Sequence, residues 1–467
     1  MQPRSNPQPA LTRRPGAVIL RCTLLWLMAA PGMSTAYATN LVDALTLAEG
    51  SDPAWREAQA NALAVAEGIP QAKAALWFPT LAFTAGGSHS DQSITTDVNI
   101  GLGGKVAFQN YDYRLTLTQP VFNQERYVRL RQAHKRVAQA QSELDTAYQD
   151  LILRVAERYF AVLAAQDDIV FAKAEKEALA GQLEQAQQRF EVGLIAITDV
   201  QEAQAGFDRS QAREIAALSA LDNAQEELRE VTGTYLNDLM PLGKSMSLDR
   251  PVPDDIEQWT ESALSRNLEI AAAQAATEIA MEEIKAQQAG HYPTLDISGS
   301  RGLISQGGRF GQTEIDGGDI GMRVNIPLYA GGSVLSRTRE ATHTHAAALE
   351  RLERARRGAF RQTREAFLGI ISQISAVTAL AQAVRSSATA VDSTRAGFEV
   401  GTRTTIDVVT AERGLSQARR DYAMARYDYT LNRLRLKRAA GTLGPADIAA
   451  TNEWLTPAMP EGQQESP

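Results

Sequence analysis

Two segments of the sequence carry the same order of aromatic, acidic and glycine residues, and each leads to an aspartate. Residues 190–199 and 398–407 both begin Phe-Glu-Val-Gly and reach that aspartate six positions after the glycine. Polar side chains in such segments can make charge-assisted hydrogen bonds or cap a helix. No nucleophile–base constellation accompanies them, so the pattern does not indicate an enzyme.

The histidines and the charge balance argue against two further classes of function. His343 and His345 are two positions apart, so on a helix they face different ways and make a poor metal pair. The formal net charge is -8, and no basic patch has interleaved aromatic residues, so nucleic acid is not an expected partner. The sequence therefore predicts no cofactor, no metal site and no catalysis.

The N-terminus has the features of an export signal. Arginines without acidic neighbours precede an apolar run, Leu24–Ala30, and a small-x-small motif at Ala36–Ala38. We predict a signal peptide over 1–38 and a mature start near Thr39. A membrane anchor is the alternative, but the apolar run is too short to span a bilayer. Cys22 is the only cysteine, so the mature chain would have no thiol chemistry.

Two long stretches without proline predict helical hairpins. No proline lies between Pro120 and Pro241 or between Pro327 and Pro445, and proline breaks helix interiors. A continuous helix of about 65 residues would be roughly 100 Å long. Each stretch has one expected break, where a glycine suits the left-handed end of a helix and a Thr or Asp can cap the next one. The glycines are Gly193 and Gly401, and the candidate caps are Thr198 or Asp199 and Thr405 or Asp407.

Apolar residues within these stretches recur at three- and four-residue spacing. One such stripe is Ile152, Val155, Tyr159 and Val162. Stripes of this kind predict that the two antiparallel arms of each hairpin bury each other, as in a coiled coil.

The segments before each hairpin alternate apolar and polar residues with the period of a strand. Residues 113–118 and 320–326 do so, and two more strands are expected to start at Pro79 and Pro293. No later segment has about 18 consecutive apolar residues, so a membrane-spanning form must use strands. A soluble sheet with one buried face gives the same alternation. The export signal and the aromatic residues near the strand ends favour a transmembrane barrel with a wet lumen.

The chain is an internal repeat of a strand pair followed by a helical hairpin. Gly193 and Gly401 are 208 positions apart, and so are Gly233 and Gly441. One chain therefore supplies four strands, too few to close a barrel, and an open edge cannot face lipid. Other copies must complete the barrel, and two, three or four copies would close it.

The repeat sets the predicted domain organisation. A signal over 1–38 precedes the first repeat, 39–234, which has a strand pair at about 79–120 and a helical hairpin at about 121–233. An equatorial connector over 235–257 leads to the second repeat, 258–442, which has a strand pair at about 293–327 and a helical hairpin at about 331–441. An equatorial segment over 443–457 and a tail over 458–467 follow. An N-terminal helix is expected before each strand pair, and the tail is short, polar and expected to be disordered.

The motifs together resemble those of the TolC family of outer-membrane factors. Residues 189–200 resemble the first periplasmic turn of that family, 398–408 the second, and 290–296 the start of its third strand. The likeness runs from about Asn40 to about Ala450. It implies an α+β membrane protein, a homotrimer whose twelve-stranded outer-membrane β-barrel takes four strands from each chain. The barrel would continue into a long α-helical coiled-coil periplasmic tunnel with an equatorial belt.

The resemblance also implies a function and partners. Family members are exit ducts for type I protein secretion and tripartite drug efflux in the outer membrane of Gram-negative bacteria. They dock a periplasmic adaptor protein and an energised inner-membrane transporter of the ABC or RND type, and they bind no cofactor. A duct for small-molecule efflux of drugs or metals alone stays open as an alternative. A periplasmic coiled-coil structural protein is a distant one.

The resemblance assigns roles to residues in both turns. Asp407 resembles the family's pore-constricting aspartate, so three symmetry copies would form a carboxylate ring that attracts cations. The polar links that hold the periplasmic end shut in the family match Thr198, Asp199 and Arg403. Phe398 and Thr410 depart from the family pattern, because a tyrosine hydroxyl and a second aspartate are missing there. The alternative is that these polar residues only cap helices or stay solvated.

Adaptor docking is expected at the same turns and their flanks. The residues are Gly193, Leu194, Ile195, Gly401, Thr402 and Thr404. The two glycines could equally serve turn geometry alone, and the two roles are compatible.

Overall fold

The computed structural model describes residues 38–95, 104–236, 238–243, 246–308 and 310–456. The predicted signal peptide with Cys22 and the predicted disordered tail lie outside these residues, apart from Ala38. Ten α-helices and four strands make up the described part. The helices are α1 (Leu41–Ser51), α2 (Pro53–Ala66), α3 (Gly68–Trp77), α4 (Gln124–Glu191), α5 (Ile197–Thr232), α6 (Ile256–Arg266), α7 (Leu268–Gln288), α8 (Ser333–Glu399), α9 (Thr405–Ala439) and α10 (Pro445–Asn452). The strands are β1 (Thr80–Ile94), β2 (Gly104–Asn123), β3 (Thr294–Gly308) and β4 (Gly311–Asn325).

Two very long helices form the frame of the chain. Helix α4 has 68 residues and α8 has 67, so each is roughly 100 Å long. Each turns back at a glycine with positive φ, Gly193 or Gly401, into a helix of about half its length. Helix α5 has 36 residues and α9 has 35, so the arms of each hairpin are unequal.

The unequal arms leave half of each long helix to other partners. Helix α7 packs between α4 and α8 along the half that lies next to the sheet, and α2 and α3 also pack on α4. Ion pairs fasten α7 to α4, including Arg129 Nη1 to Glu283 Oε2 at 2.6 Å and Arg131 Nε to Glu282 Oε2 at 3.0 Å. The helical part of the chain is therefore built from hairpins in one half and from the remaining halves of α4 and α8 plus α7 in the other.

The four strands form one antiparallel sheet in the order β1-β2-β3-β4. The register runs from Thr80 opposite Thr118 in the first pair to Thr294 opposite Asn325 in the last. Strand β2 continues past Pro120 to Asn123 with a register shift between Pro120 and Phe122, so α4 begins at Gln124 rather than near 121. A proline lacks the N–H for a ladder bond, which suits it to such an irregularity. Within the described chain, β1 and β4 each pair on one side only.

One face of the sheet is apolar near the helices and polar near the loops. On this face the residues of β1 change from Leu81 and Phe83 to His89 and Asp91 along the strand. On β3 and β4 the same face carries an ion pair, Arg301 Nη2 to Asp316 Oδ2 at 2.9 Å. The opposite face is polar; there Arg114 donates to Ser300, whose hydroxyl donates to Asp319. The apolar band therefore covers the part of the sheet next to the helices.

The largest apolar core lies midway along the long helices. The predicted stripe Ile152, Val155, Tyr159 and Val162 is fully buried there. Its partners include α1, α5, α9 and α10, so it belongs to a belt around the rods rather than to a simple two-helix seam. The Tyr159 hydroxyl lies 3.0 Å from the carbonyl oxygens of Thr39 and Met240, which ties the chain start and the connector to α4.

The connector and the final segment close this belt. Leu242 forms an isolated bridge with Leu455, and Thr39 forms another with Leu239. A second core joins α8 and α9 to Trp259 of α6 and includes Phe367 and Ile370. The belt fixes the two hairpins to each other halfway along their length.

Helix α8 contains an unusually apolar stretch. In the described part of the chain it is the one helix with an 18-residue window apolar enough to cross a membrane, at mean hydropathy 1.7. Residues 366–384 carry no charged side chain. Only 17% of the window is buried within the single chain, because α9 and α6 cover one face of it.

Candidate functional site

The two helical turns have the same backbone design. In the first, Gly193 N–H donates to Phe190 O and Leu194 N–H donates to Arg189 O. In the second, Gly401 N–H donates to Phe398 O and Thr402 N–H donates to Gly397 O. This is the Schellman arrangement, which needs a left-handed residue and therefore favours glycine. No heavy atom beyond the adjoining residues comes within 4 Å of a Cβ built on either glycine, so both are required by φ alone.

The residues that cap the following helices differ from the prediction. The N-cap residues are Ala196 and Thr404, not Thr198 or Asp199 and not Thr405 or Asp407. The aspartates sit three positions later and reach back. Asp199 Oδ2 accepts from Ala196 N–H at 3.1 Å, and Asp407 Oδ2 accepts from Thr404 N–H at 2.9 Å. The motif predicted the helix starts, but its acidic residue occupies N3. Asp407 completes a capping box with Thr404, whereas Ala196 has no side-chain acceptor for the reciprocal bond.

Asp407 is held more firmly than Asp199. Its Oδ2 also accepts from the Thr404 hydroxyl at 3.0 Å. The Thr404 backbone N–H, then the Thr404 hydroxyl and the charge of Arg403 lower the pKa of the Asp407 carboxyl below its usual value. The carboxylate is therefore ionised at neutral pH within one chain, with only Oδ2 engaged by the cap.

The predicted latch residues lie at the turns without bridging them inside one chain. Thr198 is exposed, and Arg403 packs over Gly397, where a Cβ would lie 2.7 Å from Arg403 Cγ. Between the described residues Asp199 and Arg403 there is no ion pair within 4.0 Å. The polar links expected of Thr198, Asp199 and Arg403 stay a prediction.

Phe398 is buried in a contact that the sequence did not predict. The guanidinium of Arg189, at the end of α4, lies over its ring, with Cζ 4.3 Å from the ring centroid. Arg189 Nη1 also lies 3.4 Å from the Phe398 carbonyl oxygen. The two residues are 209 positions apart, so no local spacing could have paired them.

The predicted docking residues are mostly exposed at the tips of the hairpins. Gly193, Leu194, Gly401, Thr402 and Thr404 are exposed, and Ile195 is half-buried. Further apolar side chains are exposed around them and were missed: Val192, Ile197, Val400 and Ile406. Val192 and Val400 are repeat equivalents, 208 positions apart, and each directly precedes the glycine of its turn. The repeat was therefore the sequence signal that could have added them to the docking residues. The tips together present an apolar surface edged by polar groups.

The described part of the chain offers no metal centre. No group of three or more His, Cys, Asp or Glu side chains there is arranged to hold a metal ion. His343 and His345 lie on α8, two positions apart.

These features together define a class of protein. A sheet with an apolar outer band and two open edges, continuous with helical rods of roughly 100 Å, is a segment of an outer-membrane channel with a periplasmic tunnel. The chain belongs to the outer membrane efflux protein family, whose profile matches residues 44–234 and 259–442. It is an exit duct for secretion and efflux in the Gram-negative outer membrane, and not an enzyme.

Curated relatives cover nearly the whole chain. It is 36% identical over 428 residues to the outer membrane protein TolC of Vibrio cholerae, covering 90% of this chain and 95% of the relative. It is 35% identical over 435 residues to TolC of Escherichia coli K12, covering 91% and 86%. It is 30% identical over 417 residues to the alkaline protease secretion protein AprF of Pseudomonas aeruginosa, covering 88% and 86%. Channels of the TolC family work with adaptors and inner-membrane transporters.

Solved structures show the same fold at low sequence identity. The outer membrane channel CmeC of Campylobacter jejuni matches with a TM-score of 0.73 and 15% identity, covering 96% of this chain and 98% of that one. CusC matches with a TM-score of 0.71 and 16% identity, covering 87% and 93%. The predicted TolC-like fold is confirmed, with four strands from each chain.

Proposed function

We propose that three copies of this chain form one exit duct that closes at the two helical turns and opens when an adaptor and an inner-membrane transporter dock. The observation that carries the proposal is the open sheet. Its edge strands β1 and β4 have one partner each, and a lipid-facing edge needs a second. Three copies would supply twelve strands and six hairpins.

The exposed apolar stretch of α8 supports assembly from several copies. One face of residues 366–384 packs on α9 and α6, and the other face, which includes Leu368, is open in the single chain. An open apolar face on a periplasmic rod is unfavourable in water. We assign this face to the contact between neighbouring copies.

A ring of Asp407 carboxylates is the proposed constriction. The residue lies in the first turn of α9, directly after the second glycine turn, and its carboxylate is ionised. Symmetry copies held close together would attract cations and resist anions. Thr198, Asp199 and Arg403 would supply polar links between neighbouring chains, and each link would be worth about 1.5–3 kcal/mol if shielded and less if wet.

The tips of the hairpins are the proposed adaptor site. Their exposed apolar residues lie beside Gly193 and Gly401, where the backbone is open and accessible. An adaptor that fits the open arrangement of the tips would bury these apolar side chains in the open duct and not in the closed one. It would therefore bind the open duct more tightly, and this difference in affinity shifts the equilibrium from closed to open. The transporter would be of the ABC or RND type.

The cargo is proposed to include a secreted protein. A relative at 30% identity is named for alkaline protease secretion, and a second, PrtF of Dickeya chrysanthemi, for secretion of proteases. Small-molecule efflux by the same duct is compatible with this assignment. Export of a protein substrate and resistance to drugs, both measured in a strain lacking the gene, separate the two cargo classes.

The first prediction tests the duct and its constriction together. In planar bilayers the purified protein is expected to form channels that prefer cations and are blocked by a trivalent cation such as La³⁺. Asp407→Ala should weaken that block at least about tenfold, because it removes the carboxylate ring. Glu399→Ala, which removes an exposed carboxylate two residues before the glycine of the same turn, should leave the block unchanged. An unaltered block in Asp407→Ala would remove this residue from the role, and a parent protein without channels would refute the duct.

A further inference from the structure

We infer that Arg189 and Phe398 form a positioning contact that ties α8 of one helical hairpin to α4 of the other just above the turns. The inference rests on the proposed gate and assigns to it a positioning pair within the protomer. Arg189 lies in the last turn of α4 and Phe398 in the last turn of α8. The guanidinium of the first covers the ring of the second at 4.3 Å and approaches its carbonyl oxygen at 3.4 Å.

The internal repeat supplies a comparison within the same molecule. Phe190 is the repeat equivalent of Phe398 and stands at the same place in its own turn. Yet Phe190 is 41% exposed and Phe398 only 5%. The repeat equivalent of Arg189 is Gly397, which has no side chain to cover Phe190. The aromatic residue is buried only where the opposite hairpin supplies a cation, so burial follows the contact and not the turn.

Between α4 and α8 this contact is bordered by loosely packed space. Above it lies a cavity of about 290 Å³ between α4 and α8, lined by residues that include Gly181, Gln182 and Arg395. Gln182 is buried, and its Nε2 has no hydrogen-bond partner among the described residues. The gap between α4 and α8 above the pair is therefore poorly packed, and at this level the hairpins also meet where Gly206 of α5 lies against Val409 of α9.

The chemistry explains how the chain can lack the tyrosine hydroxyl at position 398. A guanidinium over an aromatic face is an attractive, directional contact that needs no hydroxyl. It also leaves the ring free to slide out when the hairpins separate, since the hydrogen bond from Arg189 reaches the backbone carbonyl of Phe398 and not its ring. Arg189 thus positions α8, which leads through Gly401 to Asp407, and does not itself touch the cargo.

The test uses the full-length duct in planar bilayers. Arg189→Met keeps an unbranched side chain and removes the guanidinium and its charge, and Phe398→Leu removes the ring. Each is expected to raise the time-averaged conductance of the closed duct about threefold or more. The double variant should exceed neither single variant, because both remove the same contact. Phe398→Tyr keeps an aromatic face and should retain the closed state, and Phe190→Leu is the matched control that should change nothing.

Two outcomes would overturn the inference. One is an Arg189→Met channel indistinguishable from the parent, and the other is a double variant whose effect is the product of the two single effects. Heat dissociation of the oligomer, expected to be unchanged in Arg189→Met, separates a gating effect from loss of folding. A parent protein that forms no channel would refute the proposed function itself. A parent channel whose closed-state conductance is unchanged in the variants would refute only the inference about Arg189 and Phe398.

Discussion

At the residue scale, Asp407 serves two structural demands with one carboxylate. One oxygen, Oδ2, accepts both hydrogen bonds of Thr404 and so begins helix α9. The proposed constriction needs the same group to stay charged while its symmetry copies approach. The cap lowers the pKa and the copies would raise it, so the cap protects the charge that the ring requires.

This balance predicts a pH dependence of cation block. A carboxyl with a depressed pKa is charged above that pKa and loses its charge as the pH falls through it. Thr404→Val removes the hydroxyl donor but keeps the backbone donor, which is the larger cause of the depression. The pKa should therefore rise, and block by La³⁺ should be lost at a higher pH than in the parent. Any contribution of this carboxylate to stability follows the same direction, being present above its ordinary pKa and lost on acidification.

The measurement is the pH midpoint of La³⁺ block in single-channel recordings. Thr404→Ser, which keeps a hydroxyl on the same atom, is the matched control and should behave as the parent does. Equal midpoints for the Val and Ser variants would show that the hydroxyl does not govern the charge of Asp407.

The sequence identified most candidate residues at this scale but not their contacts. The repeated Phe-Glu-Val-Gly segments located both turns and both aspartates, because glycine and capping preferences act over a few residues. They assigned the capping residue wrongly, since a Thr or Asp at N-cap and an Asp at N3 give similar local patterns. Arg189 was missed because its partner lies in the other repeat, and nothing in local spacing measures that distance.

At the element scale, the four repeat glycines divide into two kinds. Gly193 and Gly401 need only a positive φ, since nothing lies near their missing side chains. Gly233 and Gly441 also have positive φ, but they are crowded. A Cβ on Gly233 would lie 2.9 Å from Ser51 Cβ, and one on Gly441 would overlap the backbone carbonyl of Arg266. The second pair joins the short arms to the belt.

A substitution at each kind of glycine should therefore have different costs. Gly401→Ala should cost about 1 kcal/mol for the left-handed backbone. Gly441→Ala adds a backbone clash at the end of α6, and overpacking of this kind costs a further 1–3 kcal/mol or so. Gly441→Ala should lower the heat-dissociation temperature of the oligomer clearly more than Gly401→Ala does. Similar losses for both would mean that the approach of Arg266 is not tight.

The rods themselves could be predicted, whereas their partners could not. Two proline-free stretches were enough to indicate helices of roughly 100 Å, because proline acts locally on the backbone. Periodicity shows which face of a helix is buried but not which helix buries it. The stripe around Tyr159 was therefore assigned to a hairpin seam, although it packs in the belt with α1 and α10. The position of α7 between α4 and α8 was likewise invisible in the pattern.

At the scale of the whole molecule, the open sheet edges determine how copies must meet. Strand β1 of one copy should pair with β4 of the next, and only residues on the same face can approach each other. The inward face carries Ala82 on β1 and the odd-numbered residues of β4. The predicted contact can be tested directly because Cys22 is the only native cysteine in the sequence.

Disulfide trapping should capture this edge contact. Ala82→Cys is combined in turn with cysteine at each odd position of β4 from Thr313 to Asn325. At least one pair should form a disulfide that links three chains into a closed ring on a non-reducing gel, since bridged Cα atoms must lie about 4.4–6.8 Å apart. Leu81→Cys with the same partners is the control, because its side chain is on the opposite face. A complete series without any cross-link would contradict edge pairing between copies.

The continuity of α4 and α8 through the belt has a consequence for how such proteins change length. Each long helix is in register with different neighbours on either side of the belt, so an insertion of two residues would turn everything beyond it by about 200°. Seven extra residues add about 10 Å and restore nearly the same facing. They would have to enter both arms of both hairpins together. The reach of this molecule across the periplasm can therefore grow or shrink only in matched steps close to a whole number of helical turns, such as seven or eleven residues.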